Sequence, residues 1–318
     1  MLIRSRGRGH AGVGREPRSL LDLAVYVAAG LLVLATAAFA LYYHLDRRSD
    51  SGPSLIERRI AALEEAVRAQ PDVFGPRLAL ATAYETKKRY ADARRQYEAA
   101  LIIEPESAEA YLGLGRVNQA GGDIAGAAAA FEAVVALRKD SEFASIDNFL
   151  QEAHFYLGEI ALSQKEYGAA IGAFLAAVAI QKTDADAWYG LCQGYLGATD
   201  FENAAASCER SVELVPDFAE PYSPLAEAYR KLGRPLKARY AEAMTAYASG
   251  RSEQAIASLE AVVTEDAKLW QAHVGLGLAL EVAGRRDEAR QAFQRALTGD
   301  PTNFAARLGL ARLGGPSP

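Results

Sequence analysis

Apolar residues fall in short runs at helical spacing over most of this chain, and the runs come in pairs. Within 184–216 one run carries Trp188, Leu191 and Tyr195, and Ala204 opens a second that Pro216 closes. Leu157-Gly158 lies 34 residues before Leu191, and Leu225-Ala226 lies 34 after it, with Tyr229 three further on. Recurrence at i, i+3, i+4 and i+7 predicts amphipathic helices, and a fixed period predicts stacked copies of one unit. One stretch departs from this pattern. It begins at Leu23, ends at Tyr43 and holds 21 residues without a formal charge. About 20 apolar residues suffice for a helix to cross a bilayer. Tyr26, Tyr42 and Tyr43 fit an interfacial belt, and Asp22, Asp46, Arg47 and Arg48 bound the span. The prediction is a transmembrane helix over 20–46. Ala38-Phe39-Ala40 has the small-x-small look of a signal-peptide cleavage site. Against cleavage stand the length of the apolar core and its continuation through Leu41, Tyr42 and Tyr43.

The paired runs resemble the tetratricopeptide repeat (TPR), a helix–turn–helix with the pattern W-x2-L-G-x2-Y, then A-x3-F, then P. Cys192 stands where a Gly usually follows the Leu, and Cys208 where an aromatic usually follows the Ala. The resemblance implies an all-α fold: a TPR-type solenoid of helical hairpins, wound as a right-handed superhelix and preceded by the transmembrane helix. A disordered Arg-rich tail over 1–19 and a linker over 47–54 flank that helix. The solenoid then covers 55–313. It opens with a half-repeat over 55–71, where Ser54 can cap the first helix, and continues with repeats near 74–107, 108–139, 151–183, 185–218, 219–249, 236–268 and 270–302. A cap helix over 303–313 and a tail over 314–318 end it. The period stretches to 43 between Leu114 and Leu157, with nine extra residues over 140–148. It shrinks to 17 between Ala238 and Ala255, so that the helix over 235–249 closes one repeat and opens the next.

In TPR proteins the first helices line a concave groove for peptide or helix segments. Carried over, the ligand-contacting positions form one line through Leu78, Leu112, Phe155, Tyr189, Ser223, Tyr240 and Val274. A neighbouring line runs through Thr82, Arg116, Glu159, Gln193, Glu227, Met244 and Leu278. The apolar and aromatic character of the first line suits pockets for a partner's hydrophobic anchors. The alternative is that these side chains pack on the opposite wall and bind nothing. Arg116 and Lys231 stand alone, so the paired cations that clamp a C-terminal carboxylate are not expected. Cys192 and Cys208 fall on the two facing helices of one repeat. They can form a disulfide outside the cytoplasm, or remain as two small buried thiols.

The formal charge is −5, but residues 1–19 carry +4, leaving −9 for the rest. An acidic body excludes a nucleic-acid binder, which needs a basic face. The Arg excess before the apolar span places the N-terminus in the cytoplasm and the repeats outside it, in the periplasm if the cell is bacterial. No His-x3-His pair, Cys-x2-Cys pair, nucleotide-binding Gly-rich loop or nucleophile elbow occurs, and His154 and His273 occupy the Trp-like packing position. No catalytic residue, cofactor or metal is therefore expected. The expected function is a membrane-anchored scaffold that binds protein segments and assembles or anchors a complex. One alternative resembles membrane-anchored TPR subunits that present apocytochrome c to haem attachment, with related layouts in secretion and cell-envelope assembly. The other is an accessory subunit of an enzyme.

Overall fold

The computed structural model describes the backbone of residues 20–49 and 54–314, and the side chains of 27–43 and 54–314. The expected tail over 1–19, linker positions 50–53 and the last residues 315–318 lie outside the described residues. So do the side chains of Asp22, Tyr26, Asp46, Arg47 and Arg48, on which the expected membrane boundaries rest. The chain divides into two units, Met1–Ala62 and Leu63–Pro318.

In the first unit, α1 runs over Leu20–Ser49. Every described side chain on it, from 27 to 43, is exposed. The Thr36 hydroxyl donates to the carbonyls of Leu32 and Val33 at 3.0 and 2.9 Å, so it is satisfied within the helix. Among the described residues no helix is long and apolar enough to cross a membrane. Helix α2, Leu55–Ala69, opens on a reciprocal capping box. The Ser54 amide donates to the Glu57 carboxylate at 2.7 Å, and the Glu57 amide donates to Ser54 Oγ at 3.4 Å.

The second unit is a ribbon of antiparallel helices. The hairpins α3 (Phe74–Thr86) with α4 (Tyr90–Ile103) and α5 (Ala108–Ala120) with α6 (Ile124–Arg138) come first. They are followed by α7 (Asn148–Ser163) with α8 (Tyr167–Ile180) and by α9 (Ala185–Gly197) with α10 (Phe201–Leu214). Then come α11 (Tyr222–Lys231), α12 (Pro235–Ala248), α13 (Ser252–Glu265), α14 (Trp270–Val282), α15 (Arg286–Gly299) and α16 (Phe304–Arg312). From α3 to α16 each helix packs on the next one in the chain.

The reason they pack so closely is residue size. A Cβ built on Gly115, Gly158 or Gly277 would lie 2.4, 2.8 or 2.5 Å from the ring of Phe131, Phe174 or Phe293 on the second helix of the same hairpin. Gly113, Gly190 and Gly309, on the following helix, face the other sides of Tyr97, Phe174 and Phe293, where an added Cβ would lie 2.2, 2.4 and 2.5 Å from the ring. Each of these rings is buried to within 1% of full coverage. At Phe174 and Phe293, glycine on both flanks thus lets one aromatic bind two helices together at interior packing density. His154 is half-buried at its own packing position, and burial lowers the proton affinity of its imidazole.

Sharp turns close the hairpins. Lys88, Gly122, Lys165, Thr199, Gly233, Gly250 and Gly284 all have positive φ. At each, the next residue's amide reaches back to the carbonyl five before it, as in Arg89 to Tyr84 and Asp200 to Tyr195, both at 2.9 Å. That is the Schellman closure of a helix end. The nine extra residues include a 3-10 turn, Ala144–Ile146, followed by Asp147, which caps α7 through the amides of Phe149 and Leu150 and receives Arg138 Nε at 2.7 Å.

Helix α12 is irregular in one respect that governs the whole unit. It is entered through the positive-φ turn at Gly233 and left through an identical turn at Gly250, where Arg251 N bonds Ala246 O at 2.9 Å. Elsewhere the two kinds of connection alternate. Up to this point the helices in next-but-one contact are α3, α5, α7, α9 and α11; beyond it they are α12, α14 and α16. The tightly packed layer therefore changes sides of the ribbon between α11 and α12.

Candidate groove sites

Because the inner layer changes sides, the two expected lines of contact residues do not form one groove. They divide between two.

The first groove lies on α3, α5, α7, α9 and α11. At its N-terminal end Arg116 is held by a network. Its Nε donates to Glu85 Oε1 at 2.8 Å, its Nη1 to Glu152 at 3.0 Å, and Tyr97 Oη donates to Glu85 Oε2 at 2.6 Å. Burial opposes the guanidinium charge, but the two carboxylates outweigh it and keep the proton affinity of Arg116 above the ordinary value. Arg116 thus faces the groove already neutralised. Leu78 is half-buried, and Leu112 is only 1% exposed, inside the core with Phe131 and Ala153. Leu112 supports the wall and presents nothing to a partner; its position carries a core contact because α5 lies flush between α3 and α7.

Further along, Phe155, Tyr189, Gln193 and Glu159 line a pocket of about 420 Å³ together with Phe218, Asp186 and Glu220. Tyr189 and Phe218 meet edge to face at 5.4 Å, and Gln193 Nε2 donates to Tyr189 Oη at 3.1 Å. The groove continues past Tyr189 into a pocket of about 610 Å³ that Ser223 and Glu227 help to line. Partial burial and the charge of Asp186 raise the pKa of Glu159; burial, Asp184 and Glu220 raise that of Asp186. Asp186, Glu220 and Phe218 were not among the expected contacts. Glu152, Asp186 and Glu220 are spaced by the 34-residue period, so the acidic pair was legible as a repeat position; Phe218, on the α10–α11 connection, obeys no pattern.

The second groove lies on α10, α12, α14 and α16. Tyr240, Met244, Val274 and Leu278 all line a pocket of about 260 Å³, with Val212, Trp270 and Phe304. Met244 and Tyr240 are buried and form its floor, while Phe304 is exposed at its rim. An adjoining pocket of about 490 Å³ is framed by Tyr247, which donates to Asp217 at 2.7 Å, and by Arg312, paired with Glu281 at 2.6 Å.

Cys192 and Cys208 are bonded, with Cα atoms 5.2 Å apart, and tie α9 to α10 behind the first groove. His273 is buried; its Nε2 lies 3.1 Å from the Ala267 carbonyl. Among the described residues no group of three or more His, Cys, Asp or Glu side chains could hold a metal ion.

The tetratricopeptide repeat family model matches residues 78–142, 146–187 and 240–304, more than half of the chain. The cytochrome c-type biogenesis protein CycH of Pseudomonas aeruginosa is 37% identical over 106 residues, which make up 31% of this chain and 26% of that protein. The chain thus matches about a quarter of the length of this relative. Among solved structures, the C-terminal part of a TPR repeat-containing protein from Cytophaga hutchinsonii aligns over 80% of this chain and 94% of its own, with 17% identity and a TM-score of 0.48. The MamA protein of Desulfovibrio magneticus RS-1, from residue 41 to its end, aligns over 57% and 98%, with 20% identity and a TM-score of 0.48.

Proposed function

This chain belongs to the tetratricopeptide repeat family, and from that premise we propose that it is a membrane-anchored scaffold that receives segments of other proteins in its grooves and so assembles or anchors a complex. The observation that carries the reading is the wall formed by α7, α9 and α11. Phe155 and Tyr189 are only half-buried there, beside the exposed Glu159 and Gln193. Core packing leaves these aromatics half-open, as an anchoring surface requires.

Anchoring rests on the unbroken run of exposed side chains over 27–43, apolar except for Thr36 and the tyrosine hydroxyls. Tethering would raise the effective concentration of the grooves for partners on the same membrane, so that modest affinities suffice. An extracytoplasmic position for the repeats is supported by the Arg excess before the span and by the Cys192–Cys208 bridge, which suits an oxidising compartment. In this reading the chain works by binding and carries out no reaction of its own.

A second reading is favoured by the similarity to CycH: a chaperone-like subunit of cytochrome c maturation, holding an unfolded client for a partner enzyme. Photo-crosslinkers placed at Phe155 and Tyr189 in intact membranes test the scaffold, with Gly172 on the outer helix α8 as the control. Adducts from the groove positions are expected. Adducts from position 172 alone would refute the groove, and a spectrum of apocytochromes among the adducts would select the second reading over a fixed complex.

A further inference from the structure

The pocket between α7, α9 and the α10–α11 connection has an unusual combination of walls. Phe155, Tyr189 and Phe218 supply aromatic surface, and Glu159, Asp186 and Glu220 stand around it. Among the described residues no Lys or Arg lines this pocket or the one that continues past Tyr189. Elsewhere the groove-facing acids are matched: Glu85 and Glu152 share Arg116, Glu209 pairs with Lys237, and Glu281 pairs with Arg312. Glu159, Asp186 and Glu220 have neither an ion pair nor a side-chain hydrogen bond among the described residues, and Arg116, which lines a neighbouring pocket with Glu159, is already shared by Glu85 and Glu152.

Resting on the scaffold reading, we propose that this pocket docks a partner-protein segment through a Lys or Arg side chain set beside an apolar residue. The aromatic faces offer their quadrupoles to a cation, and the carboxylates offer its counter-charge. Charge complementarity selects this occupant. An acidic segment would meet three like charges, and a purely apolar one would leave those charges crowded at its edge. Burial first, and the neighbouring carboxylates second, raise the pKa values of Glu159 and Asp186. The 34-residue recurrence of the acids extends the preference along the groove, since Glu227 repeats the position of Glu159 two hairpins on.

The test uses short random peptides displayed on phage, selected against the full chain in detergent and retested as synthetic peptides. Peptides that crosslink to Phe155 or Tyr189 are expected to carry Lys or Arg next to an aliphatic or aromatic residue. Exchanging that cation for norleucine or citrulline should weaken binding about tenfold, and raising the salt should weaken the parent peptide much more than the exchanged one. Neutralising the pocket by Glu159→Gln, Asp186→Asn and Glu220→Gln should remove the same factor without lowering the melting temperature, because these side chains are exposed and unpaired. Groove-bound peptides without a cationic bias, or ones that bind the neutralised variant equally well, would overturn the proposal while leaving the scaffold standing. If no selected peptide reaches Phe155 or Tyr189, both readings fail together.

Discussion

Phe174 is gripped by Gly158 on one side and Gly190 on the other, and the two contacts differ in how plainly the sequence announces them. Gly158 follows Leu157 at the pattern position, so its closeness to the bulky residue of the same hairpin was readable. Gly190 precedes Leu191 instead, and its contact spans two hairpins; only the stacking distance between α8 and α9 reveals it. The added Cβ of Gly190→Ala would sit 2.4 Å from a ring that has nowhere to move, being 1% exposed. We expect this substitution to destabilise the protein by about 1–3 kcal/mol, the usual cost of overfilling a packed site. Gly172→Ala, in the same helix as Phe174 but facing open space, should instead stabilise by about 0.5–1 kcal/mol by removing a flexible residue from a helix interior. Urea melts of the two variants should move in opposite directions. A shared direction would show that the rings are not clamped. The same argument explains Leu112: its apolarity was legible, but whether it served groove or core depended on how flush α5 lies between its neighbours.

At the scale of helices, the pairing of runs at a 34-residue period made the hairpins legible, and the phase break at 17 residues marked the helix that departs from the rule. What the spacing did not disclose was the consequence. Two positive-φ turns in succession, at Gly233 and Gly250, carry the inner layer to the other side of the ribbon, so residues aligned by sequence end on different faces. Turn conformation is set by one or two dihedrals, and these leave a weak imprint on composition when Lys88, Lys165 and Thr199 adopt them as well as glycine. The covalent tie between α9 and α10 belongs to this scale too. The bridge closes a loop of 16 residues, and both cysteines are fully buried. For a loop of this size the chain-entropy model assigns about 3 kcal/mol to the bridge. Cys192→Ser combined with Cys208→Ser should therefore lower the denaturant midpoint by an amount of that order. Under native conditions the wild-type bridge should resist dithiothreitol, because α9 and α10 must separate before a thiolate can reach it. Rapid native-state reduction, or a serine pair as stable as the parent, would remove the bridge from the account.

For the unit over 63–318, the decisive property is that each helix packs on its neighbours in the chain and, in the inner layer, on the helix two places away. Such a ribbon is quasi-one-dimensional, and its stability is a sum of local terms and nearest-neighbour interfaces. Gly113 presses on Tyr97 near one end, and Gly277 presses on Phe293 near the other, with no shared partner. The destabilisations caused by Gly113→Ala and Gly277→Ala should then add to within about 0.3–0.5 kcal/mol, as for independent sites. Unfolding should follow in more than one step, since a weakened end can open while the other holds. The same locality bears on binding. The first groove is built on α3 to α11 and the second on α10 to α16, and they share only the α10–α11 region. A cationic peptide seated near Tyr189 should leave the affinity of a ligand bound near Trp270 within a factor of about two, well under the 5–150-fold range of ordinary allosteric coupling. Measuring one peptide's affinity with and without saturation of the other groove decides the matter. Strong coupling, together with non-additive glycine variants, would mean that the reversal at α12 acts as a rigid joint transmitting strain, and the two grooves would then have to be treated as one site.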